Sequence, residues 1–362
     1  MTTPTLRMNQ DKNPSTPPVR IGILGCANIA KQFVRDVQPS SAVRIVAVAS
    51  RDNAKAADFA ASFGIERHHG SYEALLTDDG VDAIYLPLPN SLHAEWAIKA
   101  AESGRHVLCE KPLALDLREA QAMFDAARRH GVMLLEAYPY YFQPQTGAMV
   151  ALLQEKAIGT VRLVQASFGF TLANPANNIR MQTDLGGGAL LDAGSYALSV
   201  IRLAMGCAPE SVRADADWAE SGVDISTMAT LYYADGRRAQ LSCAMDAATH
   251  RHATIAGTAG VIETEYLNHT SVEGSAHPTG YLSSLMRVRR GIVNTVPFET
   301  IRSGVGSGFR FAAEAFADVV NRRDFTAIDL AAKASLDNAA TLEAIGRSAR
   351  AGGAMTSVPR VL

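Results

Sequence analysis

The sequence is poor in cysteine and has no concentration of positive charge. Its four cysteines lie far apart and form no C-x-x-C pair, at Cys26, Cys109, Cys207 and Cys243. This spacing argues against a disulfide framework and a zinc site, and it fits a reducing compartment, so we expect a cytoplasmic protein. The formal net charge is -2 at pH 7 and the basic residues form no run. Nucleic acid and membrane surfaces are therefore not expected as partners.

A long apolar run is also missing from the N-terminal region. Residues 1–18 are polar and rich in proline, with no apolar core segment and no twin arginine. They match neither a signal peptide nor a transmembrane helix. We expect 1–18 to form a disordered tail or an arm that wraps a partner.

Length and composition indicate more than one domain. The chain of 362 residues exceeds what a single hydrophobic core normally holds, and its 48% apolar and 19% charged residues are ordinary for a globular protein. Two domains are therefore expected, with a division near residue 140, where the sequence pattern changes.

The glycine pattern of a dinucleotide-binding turn is only partly present. A short apolar strand from Val19 to Leu24 runs into a turn of small residues and then a helix, and the G-x-G-x-x-G pattern falls on Gly25, Ala27 and Ala30. Small side chains at a helix N-terminus let a pyrophosphate approach the backbone N–H groups, which favours a dinucleotide site. A tight turn that binds no ligand is the alternative.

The second predicted strand lacks the acidic residue that NAD enzymes usually place at its tip. It runs from Val43 to Ala49 and is followed by Ser50 and Arg51. A hydroxyl and a guanidinium suit the anionic oxygens of a 2′-phosphate, so the sequence favours NADP over NAD. The alternatives are that Arg51 is a solvated loop charge and that Asp52 only caps the next helix.

Polar or proline-rich segments follow the next two predicted strands. The first strand is followed by Pro87, Asn90 and His93, and the second by Glu110 and Lys111. Ligands of open parallel sheets bind beyond the carboxyl ends of the strands, so we expect Lys111 to lie at the site. For His93, a loop histidine that packs or caps the next helix is the alternative.

The second half of the chain reads as alternating strands separated by turns, which predicts an antiparallel sheet with one buried face. A helical segment interrupts these strands and opens with three glycines at 186–188, whose backbone can pass close to the cofactor or to a sheet edge. Asp192 and Tyr196 are four residues apart, so they share one face of this helix.

Four motifs occur in one order with a spacing familiar from a known family. They are Gly25-Cys26-Ala27-Asn28-Ile29-Ala30, the Pro-Leu-Pro-Asn-x-x-His loop that begins at Pro87, Glu110-Lys111-Pro112, and Gly-Gly-Gly-Ala-Leu-Leu-Asp-x-Gly-x-Tyr, which ends at Tyr196. On these residues the chain resembles the glucose–fructose oxidoreductase / inositol dehydrogenase (Gfo/Idh/MocA) family over about residues 19–345.

The resemblance implies an α/β fold: an N-terminal Rossmann domain with a doubly wound parallel sheet, and a C-terminal α/β domain with an open, mostly antiparallel sheet. We assign the dinucleotide-binding domain to 19–140 and the substrate-binding and oligomerisation domain to 141–362. In this family the open sheet often forms an oligomer interface, so a homodimer or homotetramer is expected.

The resemblance also implies roles for single residues. Lys111 corresponds to the family's catalytic lysine, and Pro112 to a proline whose preceding peptide bond is often cis. Glu110 resembles the residue that orients this loop near the nicotinamide, while Asn90 and His93 resemble loop residues close to the cofactor.

On the substrate side, Asp192 resembles the family's carboxylate, and Tyr196 stands where inositol dehydrogenase-like members have histidine. Glucose–fructose oxidoreductase, dimeric dihydrodiol dehydrogenase and certain sugar 3-ketoreductases have tyrosine there, and these relatives mostly use NADP. The chain is therefore most similar to this tyrosine-containing group.

Hydride transfer at a carbinol carbon requires a partner that exchanges the hydroxyl proton, and Tyr196 is the candidate. To act as a base near neutral pH its pKa must fall, and Lys111 at hydrogen-bonding distance, together with the positive charge of the oxidised nicotinamide, is expected to lower it. Lys111 is also expected to bind the substrate oxygen, and in the reducing direction the tyrosine starts protonated and needs no shift. Arg180 is placed near substrate oxygens or phosphate, with a solvated loop arginine as the equal alternative. His250 and His252 flank one residue but lack a third ligand, so no metal is expected.

The predicted site therefore consists of two residue sets. The cofactor is expected to contact Gly25, Ala27, Asn28, Ile29, Ser50, Arg51, Pro87, Asn90, His93, Glu110 and Lys111. The substrate is expected to contact Lys111, Arg180, Asp192 and Tyr196, with Lys111, Tyr196 and Asp192 as the catalytic residues.

These residues together predict an NADP-dependent oxidoreductase that moves a hydride between nicotinamide and a CH–OH or C=O group of a sugar or related polyol. Two alternatives remain open. One is a redox-neutral glycoside hydrolase that uses bound NAD transiently, although its sequences usually carry histidine instead of tyrosine after the aspartate. The other is a non-catalytic dinucleotide-sensing protein, against which the presence of both Lys111 and Tyr196 argues.

Overall fold

The computed structural model describes residues 17–271, 282–283 and 285–361, and it contains two large β-sheets with flanking helices. Most of the predicted N-terminal tail, residues 1–16, lies outside the described residues. In the described ranges, no helix has the length and apolar character needed to cross a bilayer.

The first sheet has six parallel strands in the order β3-β2-β1-β4-β5-β6. This is the order of a doubly wound dinucleotide-binding sheet, whose crevice lies where the strand order reverses, between β1 and β4. The strands are mostly buried apolar runs, as expected of a sheet covered on both faces. Their bounds are β1 Val19–Leu24, β2 Val43–Ala49, β3 Arg67–His69, β4 Ala83–Leu86, β5 His106–Glu110 and β6 Leu134–Ala137.

Helices connect these strands and cover both faces of the sheet. They are α1 Asn28–Val37, α2 Asn53–Phe63, α3 Tyr72–Leu76, α4 His93–Glu102 and α5 Leu117–Arg129. Three begin at a side chain that accepts a backbone N–H, namely Asp52 before α2, Ser71 before α3 and Asp116 before α5. The N-cap residue of α1, Ala27, makes no side-chain capping bond.

The second sheet has nine strands in the order β16-β15-β12-β11-β7-β10-β9-β8-β18. The β7–β10 pair is parallel, and the other pairings described for this sheet are antiparallel. The prediction of an α/β fold with an open, mostly antiparallel second sheet is therefore confirmed. Its strands are β7 Val161–Thr171, β8 Ser211–Trp218, β9 Asp224–Tyr232, β10 Arg238–Ala244, β11 Asp246–Gly257, β12 Gly260–Thr264, β15 Leu285–Arg290, β16 Glu299–Arg302 and β18 Thr356–Ser357.

One face of the second sheet packs on helices, and three short strands form a separate small sheet. The remaining helices are α6 Pro144–Gln154, α7 Ser195–Met205, α8 Gly308–Arg322 and α9 Phe325–Arg350, and the small sheet contains β13 His269–Ser271, β14 Leu282–Ser283 and β17 Gly306–Ser307. A π-helical turn, Leu190–Gly194, leads into α7. Of the residues on the other face of the sheet, Met228 is 68% exposed.

The two C-terminal helices complete the core of the first sheet, and α9 also extends into the core of the second sheet. Phe309 and Phe316 of α8 belong to the core of the first sheet, where the Phe309 ring meets the Phe33 ring edge to face at 6.0 Å. Along α9, Leu336 packs in that first core while Leu342 packs in the core of the second sheet. The first core is thus completed by residues far downstream of 19–140, and the domain assignment from the sequence stays a prediction.

A buried carboxyl of β6 makes the stability of this core depend on pH. Glu136 is 7% exposed and its Oε1 accepts the Leu113 N–H at 2.9 Å. Burial raises the pKa of Glu136 from its ordinary 4.5 to about 7, against the opposing hydrogen bonds from Ser335 and Leu113. The folded state therefore binds this proton more tightly than the unfolded chain does.

We expect Glu136→Gln to remove that dependence. In the wild type the contribution is full below pH 4.5 and is lost as the pH rises through 7, a change of about 3 kcal/mol. Urea unfolding at pH 5 and pH 8 should show the variant gaining stability relative to wild type at the higher pH. Glu155→Gln, at an exposed position, is the matched control. Parallel pH curves for wild type and Glu136→Gln would contradict this assignment.

Candidate active site

The residues predicted for the site follow the carboxyl ends of neighbouring strands of the first sheet. Gly25 follows β1, Ser50 follows β2, Asn90 lies in the segment after β4, and Lys111 follows β5. The carboxyl ends of parallel strands lie at the same edge of a sheet, so these four residues lie along one edge of the first sheet. The structure thus has the placement that the sequence predicts for these four residues.

The turn after β1 is shaped by Gly25. Its φ of +113° lies in a region that favours glycine, and a Cβ there would stand 2.8 Å from the Leu88 Cδ2 atom of the loop after β4. At the start of α1, Asn28 and Ile29 are exposed and Ala27 offers no capping side chain. The first N–H groups of a helix need an outside acceptor, so this turn fits a bound phosphate.

At the tip of β2, the polar side chains have separate tasks. Asp52 Oδ1 accepts the Lys55 N–H at 3.2 Å and so caps α2, as the alternative reading of Asp52 anticipated. Ser50 is buried and its Oγ accepts the Asp52 N–H at 3.2 Å, while Arg51 is exposed. The carboxylate is thus engaged by the helix, and the guanidinium is accessible to a ligand.

His93 links the two loops that follow β4 and β5. Its ring is fully buried, with Nε2 2.9 Å from the Leu88 carbonyl oxygen and Nδ1 2.9 Å from the Pro112 carbonyl oxygen. Burial lowers the pKa of His93, although both carbonyls favour the protonated ring. Both nitrogens are engaged by the protein, which resembles the packing alternative for His93, and its contact with a cofactor stays a prediction.

Glu110 is held from the neighbouring strand. It is buried, and the Tyr85 hydroxyl of β4 donates to its Oε1 at 2.6 Å. Burial raises the pKa of Glu110, while Tyr85 and the charge of Lys111 act against that rise. On the other side, Asn90 Nδ2 donates to the Gly186 carbonyl oxygen at 2.8 Å, which ties the loop after β4 to the second half of the chain. Pro87 is buried at the start of the same loop.

One carboxylate binds two cations at the centre of the site. The Lys111 ammonium donates to Asp192 Oδ1 at 2.5 Å and to the Asp192 carbonyl oxygen at 3.1 Å, and the Arg180 guanidinium donates to Asp192 Oδ2. Burial opposes ionisation of Asp192, but the two cations lower its pKa to about 2. Asp192 likewise raises the pKa of Lys111 against the effect of burial. Lys111, which precedes a cis bond to Pro112, is therefore a permanent cation here.

Tyr196 lies beside this cluster, and its ring contacts the same Lys111 ammonium that pairs with Asp192. The Lys111 Nζ atom stands 4.7 Å from the ring centroid, while the hydrogen bonds given for that ammonium go to Asp192. Burial raises the pKa of Tyr196, and the charge of Lys111 opposes this rise. The contact between Lys111 and Tyr196 is thus with the ring face. The charge of Lys111 acts on the pKa of Tyr196 in the direction expected from the sequence, and burial has the larger effect.

The three glycines at 186–188 pack against the loop that carries Arg180. The Gly188 N–H donates to the Arg180 carbonyl oxygen at 2.9 Å, and a Cβ on Gly187 would lie 2.4 Å from that same oxygen. A Cβ on Gly186 would instead lie 2.9 Å from the Asn90 Cβ atom in the loop after β4, and one on Gly188 would lie 2.2 Å from Asp224 Oδ1. The contact of these glycines with a cofactor stays a prediction. The packing places the Arg180 side chain against Asp192.

Two residues of the site were missed from the sequence. Arg251 of β11 places its guanidinium 4.4 Å from the Tyr196 ring centroid, and Asn268 Nδ2 donates to the Tyr196 hydroxyl oxygen at 3.1 Å. The available signal was the inward-facing position of Arg251, which lies opposite Phe168 of β7 in the register. This pattern predicts which face of the sheet Arg251 lies on, but it does not predict which side chains Arg251 contacts.

His250 and His252, which flank Arg251, each contact a polar atom of their own strand. His250 Nδ1 lies 2.8 Å from the Ala248 carbonyl oxygen, and His252 Nε2 lies 3.0 Å from the Thr254 hydroxyl. Across the part of the chain that the structure describes, no three His, Cys, Asp or Glu side chains form a group able to hold a metal ion.

Comparison with known proteins gives the family. Residues 19–138 match a family model described as GFO_IDH_MocA, the oxidoreductase family with an NAD-binding Rossmann fold, and residues 147–263 match the GFO/IDH/MocA C-terminal domain. The chain belongs to the Gfo/Idh/MocA oxidoreductase family. The resemblance drawn from the four motifs is thereby confirmed.

Members with sugar or diol substrates are among the similar proteins. A D-xylose 1-dehydrogenase (NADP(+)) from Haloferax volcanii is 36% identical over 92% of this chain and 98% of its own length. A trans-1,2-dihydrobenzene-1,2-diol dehydrogenase from Xenopus tropicalis is 36% identical over 67% of this chain and 74% of its own. A crystal structure of a 3-ketoreductase from Actinomadura kijaniata with NADP and TDP-benzene is 30% identical over 91% of this chain and 98% of that one, with a TM-score of 0.81.

We expect Asp192→Asn to destabilise the protein by about 3 kcal/mol, because it leaves two partly buried cations without their anion. The native contribution of Asp192 is full above its ordinary pKa of 3.8 and is lost as the pH falls toward 2. Urea unfolding at pH 7 and pH 3 should therefore show a smaller difference between variant and wild type at the lower pH.

The control is the double variant with Lys111→Met and Asp192→Asn. Since the two residues contact each other, its loss should be smaller than the summed losses of the single variants. Additive losses, or a difference between Asp192→Asn and wild type that is equal at both pH values, would show that the ion pair contributes little.

Proposed function

We propose that this chain is an NADP-dependent oxidoreductase that moves a hydride between nicotinamide and a CH–OH or C=O group of a sugar or related polyol. The observation that carries the proposal is the convergence of Lys111, Asp192 and Tyr196 beside the carboxyl edge of the first sheet. A permanent cation, a carboxylate and a phenol at one place can bind a hydroxyl or carbonyl oxygen and exchange its proton.

The cofactor side supports this assignment. The uncapped start of α1 and the close approach at Gly25 fit a pyrophosphate, and a bound nicotinamide supplies the hydride acceptor or donor. We assign the 2′-phosphate to Ser50 and Arg51, because these two residues stand first at the tip of β2 and the Asp52 carboxylate that follows them is directed to the cap of α2. Gly25, Ala27, Asn28, Ile29, Pro87, Asn90, His93, Glu110 and Lys111 remain the other proposed cofactor residues.

On the substrate side, Lys111 acts as a hydrogen-bond donor and stabilises negative charge that develops on the reacting oxygen. In the reducing direction Tyr196 gives its hydroxyl proton to that oxygen as the C–H bond forms. In the oxidising direction Tyr196 acts as the phenolate and takes the proton as the substrate O–H bond breaks and the hydride passes from carbon to the nicotinamide. The raised pKa of Tyr196 favours the protonated phenol, which is the form that donates a proton in the reducing direction. Asp192 holds Lys111 and Arg180 in place and faces the substrate.

The relatives support the substrate class. Their names specify D-xylose, a trans-dihydrodiol of benzene and a dTDP-linked keto sugar, all of which carry a carbinol or carbonyl carbon beside further oxygen. The aromatic and cationic side chains around Tyr196 suit a ring with several hydroxyls, since such ligands need donors and a flat apolar surface.

We further propose that the open face of the second sheet joins copies of the chain into a homodimer or homotetramer. Leu163 of β7 and Met228 of β9 expose large apolar side chains on this sheet, at 36% and 68% of their surface. All four cysteines are free thiols, which agrees with the proposed cytoplasmic location.

The direct test is a panel of aldoses, keto sugars and polyols, assayed by nicotinamide absorbance with NADP(H) and NAD(H) in parallel. We expect turnover of at least one sugar with NADP(H).

Lys111→Met should lower kcat about 100-fold to 1000-fold, because one donor to the developing charge is lost, while the Kd for NADPH stays close to wild type. Lys99→Met, in an exposed pair with Glu95, is the control. If no compound of the panel is turned over, the proposed function is refuted. If Lys111→Met turns over substrate as fast as wild type, the proposed role of Lys111 is refuted.

Arg51→Ala tests the coenzyme preference. Loss of charge-assisted hydrogen bonds to the 2′-phosphate should raise the Kd for NADPH about tenfold or more and leave the Kd for NADH nearly unchanged. Arg44→Ala is the matched control, since Arg44 is an exposed arginine of the same strand that pairs with Glu66. Equal weakening of both coenzymes by Arg51→Ala would remove the specific assignment.

A further inference from the structure

Arg251 is a guanidinium packed among aromatic rings on the inner face of the second sheet. Its central carbon lies 4.4 Å from the Tyr196 ring centroid, 4.6 Å from those of Phe168 and Tyr266, and 5.8 Å from that of Tyr140. Arginine keeps its charge even where burial lowers its pKa, as it does here. A fixed positive charge therefore lies against the proposed proton-exchanging ring, and no step described above uses it.

Asn268 connects this charge to the Tyr196 hydroxyl. Arg251 Nη2 donates to Asn268 Oδ1 at 3.1 Å, and Asn268 Nδ2 donates to the Tyr196 hydroxyl oxygen at 3.1 Å. Because a guanidinium has donors only, the amide must turn its oxygen toward Arg251 and its NH2 group toward Tyr196. The orientation of the Asn268 side chain is thus set by Arg251.

The backbone at Asn268 is fixed as well. Its carbonyl oxygen accepts the Gly308 N–H at 2.8 Å and the Gln143 Nε2 group at 2.6 Å. Hydrogen bonds therefore fix both the backbone and the side-chain amide of Asn268, as is required of a preorganised donor.

An amide donor at this place affects both protonation states of Tyr196. While the phenol is protonated, Asn268 occupies a lone pair of the oxygen and leaves the hydroxyl hydrogen for a substrate oxygen. When the proton has left, the same N–H stabilises the phenolate. An acceptor in place of Asn268 would do neither.

Several charged and titratable groups face Tyr196 from the surrounding elements. They are Lys111 and Glu110 from the end of β5, Tyr85 from β4, Tyr138 and Tyr140 after β6, and Arg251 from β11. Burial raises the pKa of Tyr196, with Lys111, Arg251 and the Asn268 bond opposing and Glu110 reinforcing the rise. Arg251 is thus the second cation on this ring besides Lys111.

We propose that Arg251 and Asn268 are a positioning pair that orients the Tyr196 hydroxyl and stabilises it through proton exchange. The inference rests on the proposed function, in which Tyr196 exchanges the substrate proton. Arg251 acts by fixing the amide and by its charge on the ring, and Asn268 acts by donating to the reacting oxygen.

The test is the pH dependence of kcat for sugar oxidation. Asn268→Asp replaces the donor by a carboxylate that accepts from Arg251. The rising limb of the kcat profile should therefore shift to higher pH by about one unit or more. At a given pH on that limb, kcat should then be about tenfold lower than in wild type. Arg251→Met should move it in the same direction, and Arg251→Lys, which keeps the charge, by less. Asn294→Asp, an exposed change of the same kind, should leave the profile unchanged.

A second readout does not depend on turnover. Tyrosinate absorbance near 295 nm is titrated in each protein with and without Tyr196→Phe, and the difference reports Tyr196 alone. Asn268→Asp should shift this difference titration to higher pH. If that variant does not fold, as judged by urea unfolding, Asn268→Ala and Arg251→Lys are titrated instead, and both should shift it in the same direction.

The outcomes separate the two proposals. Full turnover in Tyr196→Phe would overturn the role of Tyr196 in the proposed function. An inactive Tyr196→Phe together with unshifted profiles and titrations in the Asn268 and Arg251 variants would overturn the positioning pair and leave that role intact.

Discussion

The site depends on one carboxylate held between two cations. Asp192 binds Lys111, which is 81 residues earlier in the chain, and Arg180, which is 12 residues earlier, so a single side chain brings three segments together. A partly buried charge is costly when it is alone, and therefore none of the three can turn away without a loss to the other two. The same pairing raises the pKa of Lys111 and so keeps its ammonium group protonated.

Close backbone packing makes that ion cluster possible. Glycines at 186–188 let the loop with Arg180 lie directly against the start of the π-helical turn that holds Asp192, and His93 holds the loops after β4 and β5 to each other. Charge and packing are therefore coupled here. The backbone contacts orient the Lys111 and Arg180 side chains toward Asp192, and the ion pairs in turn stabilise those backbone contacts.

The sequence predicted the parts of the site that follow from local rules. Strand ends in a parallel sheet share an edge, which placed Lys111, and helical spacing placed Asp192 with Tyr196. It missed Arg251, because alternation in β11 gives a face of the sheet while its neighbours depend on long-range pairing with β7. It did not include the effect of burial on the pKa of Tyr196, since the degree of burial is set by tertiary packing. The prediction contained no counterpart of α8 and α9.

The placement of α8 has a consequence for biosynthesis. Phe309 and Phe316 close the core around Phe33, yet they leave the ribosome only after every strand of the second sheet except β18 has been made. The nascent nucleotide-binding half therefore stays without its closing apolar layer during most of translation. A truncated chain that stops after β6 would expose that surface to water and aggregate, because unburied core residues associate with one another.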